Sequence, residues 1–461
     1  MTLKTISPVD GRTYVERASA SPAEIDLTLQ RARAAQPLWR SVPLRERAAI
    51  LERFCNEFEA RGAEIAEQLC WQMGRPIRYA PSEVRGTLER ARYMIGASAT
   101  ALADVDPGPK PGFRRFIRRE PLGVVFTVAA WNYPYLIAVN SVVPALMAGN
   151  AVVLKHSAQT PLCAELFAEC FAAAALPAGV FQVLHLEHAD TERVIRDPRI
   201  DFVAFTGSVA GGHAVQRAAA ERFTGVGLEL GGCDPVYVRH DADLAHAIEN
   251  IVDGAYFNSG QSCCGLQRIY VHESVYRRFT DGCIELIGKF RLGDPLDPQT
   301  TLGPVVRTAA ADAIRGQLRA AIAAGGRPVI DERAFPRSKA GTPYLAPQLL
   351  LDAPPDSSVM REEIFGPVAG VAKVSSDGEA VARMNDSAFG LTAAVWTQDE
   401  AAALSLGGQV QTGTWFMNRC DYLDPALAWV GVKDSGRGCT LSIVGYEHLT
   451  RPKSFHLRVT T

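Results

Sequence analysis

The chain has 461 residues, of which 47% are hydrophobic and 21% are charged, and it has a formal net charge of −2 and a pI of about 6.5. This composition is typical of a globular protein, and the length predicts about three domains. The balanced charge argues against a nucleic-acid-binding protein, because such proteins are usually basic over a whole domain.

The N-terminus, the hydropathy and the cysteines of the sequence favour a cytoplasmic protein. The N-terminal residues lack the apolar stretch of a signal peptide, and no run reaches the roughly 18 apolar residues of a membrane span. The ten cysteines are scattered and form no CxxC pair, which argues against structural zinc. We therefore expect a reduced, cytoplasmic protein that binds no metal, no membrane and no nucleic acid.

Residues 1–110 are predicted to be mostly helical. From Pro43, which suits a first helical turn, apolar residues keep a roughly helical spacing as far as Leu69. The segment 106–112 is rich in proline and glycine and ends this helical region.

Two distant segments are predicted to be exposed strands. The basic run 113–120 suits a strand whose charges discourage uncontrolled edge pairing, although a solvated charged face is the commoner explanation of such a run. The tail 454–459 alternates as a half-exposed strand does. Paired together, the two strands would form a ribbon that joins subunits.

Residues 121–230 alternate short apolar runs with helical stretches. The runs have the character of buried strands and lie at 122–130, 151–154, 181–184, 201–205 and 225–230. The helical stretches between them lie near 134–148, 161–175, 189–196 and 209–222. This alternation predicts βαβ crossovers in a doubly wound parallel sheet, which binds ligands at the carboxyl ends of its strands.

A second α/β pattern begins at residue 233. Its strand-like runs lie near 235–238, 267–271, 368–373, 391–396 and 412–417. Its helical stretches lie near 243–257, 274–288, 308–324 and 399–406. The proline-rich segment 331–360 is predicted to be mostly loop.

Three turns at predicted strand ends contain candidate ligand-binding residues. The turn with Gly207 and Ser208 opens a helix whose free N–H groups attract phosphate, but it lacks the GxGxxG spacing and is equally consistent with a structural turn. Asn132 either caps the next helix or aims its amide at a developing oxyanion. Lys155 either extends to the surface or hydrogen-bonds a ribose at its strand end.

Cys263 and Glu229 are the most informative pair of residues. The cysteine lies in a turn that contains Gly260, and the glutamate precedes Gly231 and Gly232 in a second glycine-rich turn. A thiol nucleophile with a carboxylate base suits covalent catalysis. Taken separately, each residue is ambiguous, because most cysteines are small buried hydrophobic residues and most carboxylates are solvated.

These motifs follow one order along essentially the whole chain, and in that order they resemble the aldehyde dehydrogenase superfamily. The matching segments are Trp131-Asn132-Tyr133-Pro134, Lys155, Phe205-Thr206-Gly207-Ser208, Glu229-Leu230-Gly231-Gly232, Gly260-Gln261-Ser262-Cys263, Glu363-Ile364-Phe365-Gly366-Pro367 and Lys433-Asp434-Ser435-Gly436. The resemblance implies an α/β fold in homodimers or homotetramers. Its parts would be a doubly wound parallel-sheet cofactor domain over 1–105 and 122–231, an α/β catalytic domain over 232–447, and a small β-ribbon oligomerisation element over 106–121 and 448–461.

The resemblance also implies the reaction and the catalytic residues. Cys263 would attack an aldehyde, loss of hydride to NAD or NADP would convert the thiohemiacetal into a thioester, and Glu229 would activate the water that releases the carboxylic acid. Asn132 and the Cys263 backbone N–H would form the oxyanion hole, and Cys264 would be a bystander. An acylating enzyme is disfavoured by Glu229, and a cysteine-dependent esterase is the alternative from another class.

For the cofactor, the resemblance implies a role for each of several residues. Lys155 would meet the adenosine ribose, Ser208 the pyrophosphate and Glu363 the nicotinamide ribose, and Phe365 would pack beside the nicotinamide. The remaining predicted cofactor-binding residues are Trp131, Ser157, Gly207 and Leu230.

The sequence departs from the family pattern at positions that affect cofactor choice and proton transfer. Ala158 stands where NAD-preferring relatives often have glutamate, so a 2′-phosphate would meet no carboxylate there, and NADP is expected to be tolerated with help from Ser157 and His156. Ser141 and Thr440 replace the lysine and glutamate that many relatives use to relay protons from the base.

The predicted substrate is an apolar or aromatic aldehyde. Tyr133, Phe257 and Trp429 would line the substrate tunnel, and the arginines of the succinate-semialdehyde branch are missing at Phe257 and Asn140. Arg419 could instead pair with a carboxylate, which keeps a semialdehyde such as succinate semialdehyde as the alternative substrate.

Overall fold

A computed structural model describes residues 2–460, which form two large sheets covered by helices, and a long two-stranded ribbon. The strands are β1 (Thr2–Ile6), β2 (Thr13–Ala18), β3 (Phe113–Pro121), β4 (Val124–Ala129), β5 (Ala151–His156), β6 (Phe181–Val183), β7 (Phe202–Thr206), β8 (Gly225–Glu229), β9 (Asp234–Val238), β10 (Leu266–His272), β11 (Arg327–Pro328), β12 (Gln348–Leu351), β13 (Val368–Val374), β14 (Phe389–Gly390), β15 (Thr392–Trp396), β16 (Thr414–Met417), β17 (Val432–Lys433), β18 (Gly436–Arg437) and β19 (Thr450–Arg458). The α-helices are α1 (Pro22–Ser41), α2 (Leu44–Ala60), α3 (Gly62–Met73), α4 (Pro81–Ala101), α5 (Pro134–Ala148), α6 (Pro161–Ala173), α7 (His188–Arg196), α8 (Val209–Ala219), α9 (Leu244–Tyr256), α10 (Tyr276–Ile287), α11 (Thr308–Ala323), α12 (Ser358–Arg361), α13 (Asp377–Asn385) and α14 (Glu400–Gly407). Among the described helices, none is long and apolar enough to cross a membrane.

The N-terminal region contains a hairpin as well as helices. The prediction of helices over residues 1–110 is confirmed for α1 to α4, but it misses the antiparallel pair β1–β2, whose strands are mostly exposed and so lack a buried apolar pattern. The periodic segment after Pro43 is two helices rather than one, because the chain leaves helical geometry at Arg61 between α2 and α3.

The first large sheet has the strand order β18-β8-β7-β4-β5-β6. Strands β4 to β8 run parallel, and the edge strand β18 is antiparallel. One buried core lies between the sheet and the α2–α6 side, and another between the sheet and α1, α7 and α8. The predicted doubly wound sheet is confirmed, with each predicted strand and helix within about three residues of its expected bounds.

The second large sheet has the strand order β11-β12-β13-β10-β9-β15-β16 and is parallel except for β11. Most of the segment 331–360 lies outside helices and strands, as predicted for a loop-rich segment. The prediction misses β12, which is fully buried beside β13. Helix α13 is also missed, because its buried residues are only Ala380 and Met384 and its sequence lacks a wide apolar stripe.

The two predicted exposed strands pair with each other. β3 and β19 run antiparallel, with Phe113 opposite Arg458 and Pro121 opposite Thr450. The rings of Phe116 and Phe455 stack across the ribbon with centroids 4.5 Å apart. Nearly all the other side chains of β19 are exposed, which is the pattern of a strand that stands away from the core.

Candidate active site

Cys263 lies at the end of a strained loop, residues 257–264, which we call the Cys263 loop. Asn258, Ser259 and Gly260 have φ values of 53°, 57° and 70°, a run in the left-handed region that costs roughly 1–3 kcal/mol for each non-glycine residue. At Gly260 a Cβ atom would lie 2.1 Å from the carbonyl oxygen of Gly366, so only glycine fits. The Ser259 hydroxyl donates to the Gly303 carbonyl at 2.8 Å and helps to hold the loop in this shape.

Asn132 is buried beside this loop. Its Nδ2 donates to the carbonyl of Gln261 at 3.3 Å, two residues before Cys263. The alternative that Asn132 caps helix α5 is wrong, because that helix begins after Tyr133 and its free N–H groups are satisfied by another residue. The side-chain amide of Asn132 is therefore directed at the Cys263 loop.

A buried ion pair supports both the turn that contains Asn132 and the Cys263 loop. We call this group of four residues the Arg75 floor: the pair of Arg75 and Glu83, and the two asparagines that Arg75 contacts, Asn132 and Asn258. Arg75 is paired with Glu83, and it donates from Nη2 to the Asn132 carbonyl at 2.7 Å and from Nε to Asn258 Oδ1 at 3.3 Å.

Glu83 also satisfies the start of helix α5. Its Oε1 accepts from the backbone N–H groups of Tyr135 at 3.0 Å and Leu136 at 3.1 Å. A carboxylate at a helix N-terminus is stabilised by the helix dipole. The floor thus fixes the start of α5, the turn of Asn132 and the Cys263 loop relative to one another.

Two cavities meet at Cys263. The first, which we call the Glu363 cavity, has a volume of about 250 Å³. It is lined by Ala130, Trp131, Asn132, Thr206, Gly207, Ser208, Leu230, Gly231, Cys263, Glu363 and Phe365. Six of the eight predicted cofactor residues are in this lining, and Lys155 and Ser157 are not.

Glu363 is held with one oxygen bound and the other available. Its Oε1 accepts from the Gly232 N–H at 3.1 Å, and burial raises the pKa of its carboxyl group to about 7. A Cβ atom at Gly231 would lie 2.3 Å from Glu363 Oε2, so this glycine makes room for the carboxylate. The ring of Phe365 meets that of Trp131 edge-on, with centroids 5.6 Å apart.

Lys155 and its neighbours lie at the carboxyl end of β5. Burial lowers the pKa of Lys155, and within residues 2–460 its ammonium group has no hydrogen-bond or ion-pair partner. His156 accepts from the Ser157 N–H at Nδ1, so Nε2 is left to donate to the Pro134 carbonyl at 3.1 Å. The expectation that His156 assists a 2′-phosphate is therefore wrong, because both ring nitrogens are used inside the protein.

The second cavity, which we call the Arg90 cavity, has a volume of about 350 Å³. It is lined by Ser82, Arg85, Gly86, Glu89, Arg90, Tyr133, Leu136, Ile137, Asn140, Thr206, Glu229, Asp253, Phe257, Ser262, Cys263, Cys264, Asp421, Tyr422, Leu423 and Trp429. The predicted substrate residues Tyr133, Phe257 and Trp429 are present. Arg419 is not, because its guanidinium covers the ring of Tyr422 at 3.6 Å.

Glu229 lies at the end of β8 and lines the same cavity as Cys263. Its Oε2 accepts from the Thr206 hydroxyl at 3.2 Å and its Oε1 from the Thr440 hydroxyl at 2.6 Å. Burial raises the pKa of Glu229, and the two hydroxyls oppose that shift. Ser141 is bonded to Thr127 at 2.7 Å, so of the two altered relay positions only Thr440 contacts the carboxylate.

Nearly the whole chain matches one known family. The sequence pattern of the "Aldehyde dehydrogenase family" matches residues 1–455. The chain belongs to this family. The predicted membership, and with it the prediction of an NAD(P)-dependent aldehyde dehydrogenase, is confirmed.

Individual relatives of this aldehyde dehydrogenase cover nearly all of it. A "Succinate-semialdehyde dehydrogenase [NADP(+)] 1" of Mycobacterium ulcerans is 35% identical over 96% of both chains. An "Aldehyde dehydrogenase" of Paenarthrobacter nicotinovorans is 34% identical over 98% of this chain and 99% of its own. The structure of succinic semialdehyde dehydrogenase from Streptococcus pyogenes, in complex with NADP+, superposes with a TM-score of 0.94 at 27% identity over 99% and 100% of the two chains.

Within this aldehyde dehydrogenase, Cys264 differs from Cys263 in its surroundings. Cys264 is buried and donates to Asp421 Oδ1 at 2.9 Å. The neighbouring Cys263 thiol, burial and Asp421 together raise the pKa of Cys264 well above its ordinary value, so it remains a thiol. Cys263 is only partly buried and is shared by the two cavities.

The sequence motifs miss several residues of this site. Arg75 and Glu83 lie outside every motif, as do Arg90 on helix α4 and Asp421 next to Arg419. Asp421 is buried and accepts from Ser262 and Cys264, and burial raises its pKa to about 6. Arg75, Glu83 and Arg90 carry no sequence signal beyond being charged residues in helical or loop segments. Asp421 had one signal, because it lies two residues after the predicted substrate residue Arg419.

Proposed function

We propose that this aldehyde dehydrogenase oxidises its substrate through Cys263, with Asn132 and Glu229 as the other catalytic residues. The observation that carries the proposal is that Cys263, together with Thr206, lines both the Glu363 cavity and the Arg90 cavity, and that Glu229 lines the second of them. One cavity then holds the cofactor and the other holds the aldehyde.

The chemistry follows from these positions. The Cys263 thiolate attacks the aldehyde carbon, and the carbonyl oxygen takes the negative charge next to the Asn132 amide and the Cys263 backbone N–H. The nicotinamide, when bound, accepts the hydride from that carbon. This leaves a thioester on Cys263, and Glu229 takes a proton from the water that hydrolyses it to the carboxylic acid.

The residues of the Glu363 cavity fit a dinucleotide. Glu363 offers a carboxylate oxygen to ribose hydroxyls, and Ser208 opens helix α8, where N–H groups face a phosphate. The aromatic pair of Trp131 and Phe365 borders the same space. Gly207 and Leu230 complete this wall.

We propose that NADP is used at least as well as NAD. Lys155 has an ammonium group without a partner among the described residues, and Ala158 places no carboxylate beside it. A 2′-phosphate would thus find a cation and no repulsion. The Ser157 hydroxyl accepts from the Gln159 N–H and keeps its own proton to donate to a phosphate.

The decisive experiment measures reduction of NAD and NADP at 340 nm with an aldehyde panel. Wild-type protein is expected to reduce cofactor only when aldehyde is present, and Cys263→Ala to lose this activity while Cys264→Ala keeps it. Glu229→Gln is expected to acylate in the first turnover and then to slow by about 10²–10⁴-fold. Ester hydrolysis without any aldehyde oxidation would instead support the cysteine-dependent esterase.

We also propose the division of labour between the parts of the chain. The parallel strands β4 to β8 of the six-stranded sheet belong to a cofactor domain formed by 1–105 and 122–231. The seven-stranded sheet belongs to a catalytic domain over 232–447, which also contributes the edge strand β18 to the first sheet. The ribbon of 106–121 and 448–461 would join subunits into homodimers or homotetramers in the cytoplasm. Its exposed β19 and its stacked Phe116–Phe455 pair support this assignment, and sedimentation of a chain shortened before residue 450 would test it.

A further inference from the structure

Arg90 is a buried cation that forms no ion pair with a carboxylate in the described part of the chain. The residue is 9% exposed, and its Nη1 donates to two neutral acceptors, the Leu136 carbonyl at 3.0 Å and Asn140 Oδ1 at 3.2 Å. Within residues 2–460, its Nε and Nη2 have no hydrogen-bond partner, and neither atom is sealed off by packing. These donors therefore face the Arg90 cavity, which the side chain lines.

The nearest acidic groups are already engaged. Glu83 is paired with Arg75, and Glu229 is bonded to two threonine hydroxyls. Burial lowers the pKa of Arg90, and Glu83 and Glu229 only partly oppose this shift from a distance. A buried charge with open hydrogen-bond donors is costly unless a counter-ion reaches it.

The other acidic groups of the cavity do not supply that counter-ion. Glu89 accepts from the Tyr422 hydroxyl at 2.7 Å, and Asp421 accepts from Ser262 and Cys264. Burial raises the pKa of both Asp253 and Asp421, so ionisation of these groups is less favourable than that of exposed carboxyl groups. No ion pair is formed between Arg90 and any of these residues in the described part of the chain.

We propose that Arg90 binds an anionic group of the substrate, so that the preferred aldehydes carry a carboxylate at the end remote from the carbonyl. This inference rests on the proposed function, because the Arg90 cavity holds the substrate only if Cys263 is the nucleophile. A planar guanidinium donates two N–H groups to one carboxylate, and such charged hydrogen bonds are about twice as strong as neutral ones.

The apolar walls of the cavity agree with such a substrate. Tyr133, Phe257 and Trp429 contact the hydrocarbon body of the aldehyde, while Cys263 takes the carbonyl and Arg90 the carboxylate. An apolar or aromatic body and an acidic end thus belong to one molecule. Arg419 has no part in this recognition, because its guanidinium lies on Tyr422.

The test compares matched aldehydes that differ only in the remote group. Succinate semialdehyde is compared with butanal, and 4-carboxybenzaldehyde with 4-methylbenzaldehyde, by kcat/KM with NADP. Wild-type enzyme is expected to prefer the carboxylate member of at least one pair by about 10- to 100-fold, the range of a charged hydrogen bond. Equal kcat/KM within both pairs would overturn the proposal.

The variants then assign the preference to one residue. Arg90→Met is expected to reduce that ratio by about 10- to 100-fold, and Arg90→Lys by less, because it keeps the charge but not the planar pair of donors. Arg92→Met is the matched control, since Arg92 lies two residues further along α4, is exposed and is paired with Glu59. A preference that survives Arg90→Met, or that is lost only in Arg85→Met at the cavity mouth, would overturn the assignment.

A binding measurement separates this inference from the proposed function. In Cys263→Ala, which cannot turn over, succinate and terephthalate are titrated by calorimetry with and without Arg90→Met. Binding that is about 10-fold or more weaker in the double variant supports the inference, and equal binding contradicts it. If wild-type protein oxidises no aldehyde at all, the proposed function fails, whereas loss of the carboxylate preference alone leaves that function intact.

Discussion

The Arg75 floor and the walls of the two cavities use the same kinds of buried charged residue in opposite ways. In the floor, Arg75 donates to three protein acceptors and Glu83 accepts from three protein donors. In the walls, Arg90 has two donor atoms open to a cavity, and Glu363 has one oxygen to which no group within residues 2–460 donates.

The difference teaches how to separate positioning from binding. A charged group whose partners are all in the protein stabilises one arrangement of the chain, and a group with open positions is satisfied only when a ligand arrives. Substitutions in the Arg75 floor should therefore lower the free energy of unfolding and reduce activity equally for every substrate. Changes in the walls should leave stability nearly unaltered and depend on which ligand is measured.

The largest expected effect is that of Glu83→Gln. It leaves Arg75 buried without its partner, which typically costs about 3–5 kcal/mol. We expect a clearly lower urea midpoint of unfolding. We also expect a fall in kcat of the same size for every aldehyde and both cofactors, because Asn132 and Asn258 lose a fixed support.

The matched control for this experiment is Glu89→Gln. Glu89 lies on the same helix but is exposed, so Glu89→Gln should change the free energy of unfolding by no more than about 0.5 kcal/mol. An unchanged midpoint in Glu83→Gln, or a loss of activity confined to one class of aldehyde, would contradict the positioning role of the floor.

The sequence predicts the strands and turns well, but it does not predict the contacts of the Arg75 floor. The parallel strands and the glycine-rich turns carry strong local signals, since a buried strand needs a continuous apolar run and Gly260 is required by a carbonyl that leaves no room for a Cβ atom. The Arg75–Glu83 pair spans only eight positions, but its partners come from residues 132 and 258. No local sequence pattern predicts contacts between residues that are so far apart in the chain.

Contacts between distant parts of the chain also explain why the motifs point to Arg419 as a substrate residue and do not point to Arg90. Arg90 belongs to a helix that has no motif. Its importance follows only from its burial without an ion-pair partner within residues 2–460. Arg419 stands beside a motif, but the ring of Tyr422 takes its charge. Proximity to a motif thus singled out Arg419, whose guanidinium lies on Tyr422 and is not part of the cavity lining.

A smaller effect, of about tenfold, is expected for the pH dependence of cofactor binding. Burial raises the pKa of Glu363 to about 7, so the group is largely protonated at pH 6 and largely ionised at pH 8. A carboxylate accepts stronger hydrogen bonds from ribose hydroxyls than a neutral acid does. The KM for NADP should therefore fall by up to about tenfold as the pH rises from 6 to 8, the change in the ionised fraction of a group with this pKa.

Glu363→Gln provides the control for this pH dependence. A glutamine does not ionise, so the KM for NADP should become flat between pH 6 and 8, with little change in the urea midpoint. A KM that keeps the wild-type slope in this variant would show that another group titrates. A large loss of stability would mean that Glu363 belongs with the floor and not with the walls.

The smallest expected effect is on the stability of Arg90→Met, and it is the sharpest contrast with the floor. Removing Arg90 takes away two hydrogen bonds to neutral acceptors, but it also removes an uncompensated buried charge, and methionine fills similar apolar space. The change in the free energy of unfolding should stay within about 1 kcal/mol in either direction. Added succinate should raise the unfolding temperature of the wild type and not of the variant, because only the wild type gains a counter-ion that the unfolded chain cannot hold. The contradicting outcome is that Arg90→Met destabilises the protein as much as Glu83→Gln does, and that succinate changes the unfolding temperature of neither the wild type nor the variant. Arg90 would then be a structural arginine like Arg75, and open donor atoms would not distinguish a ligand-binding residue from a positioning one.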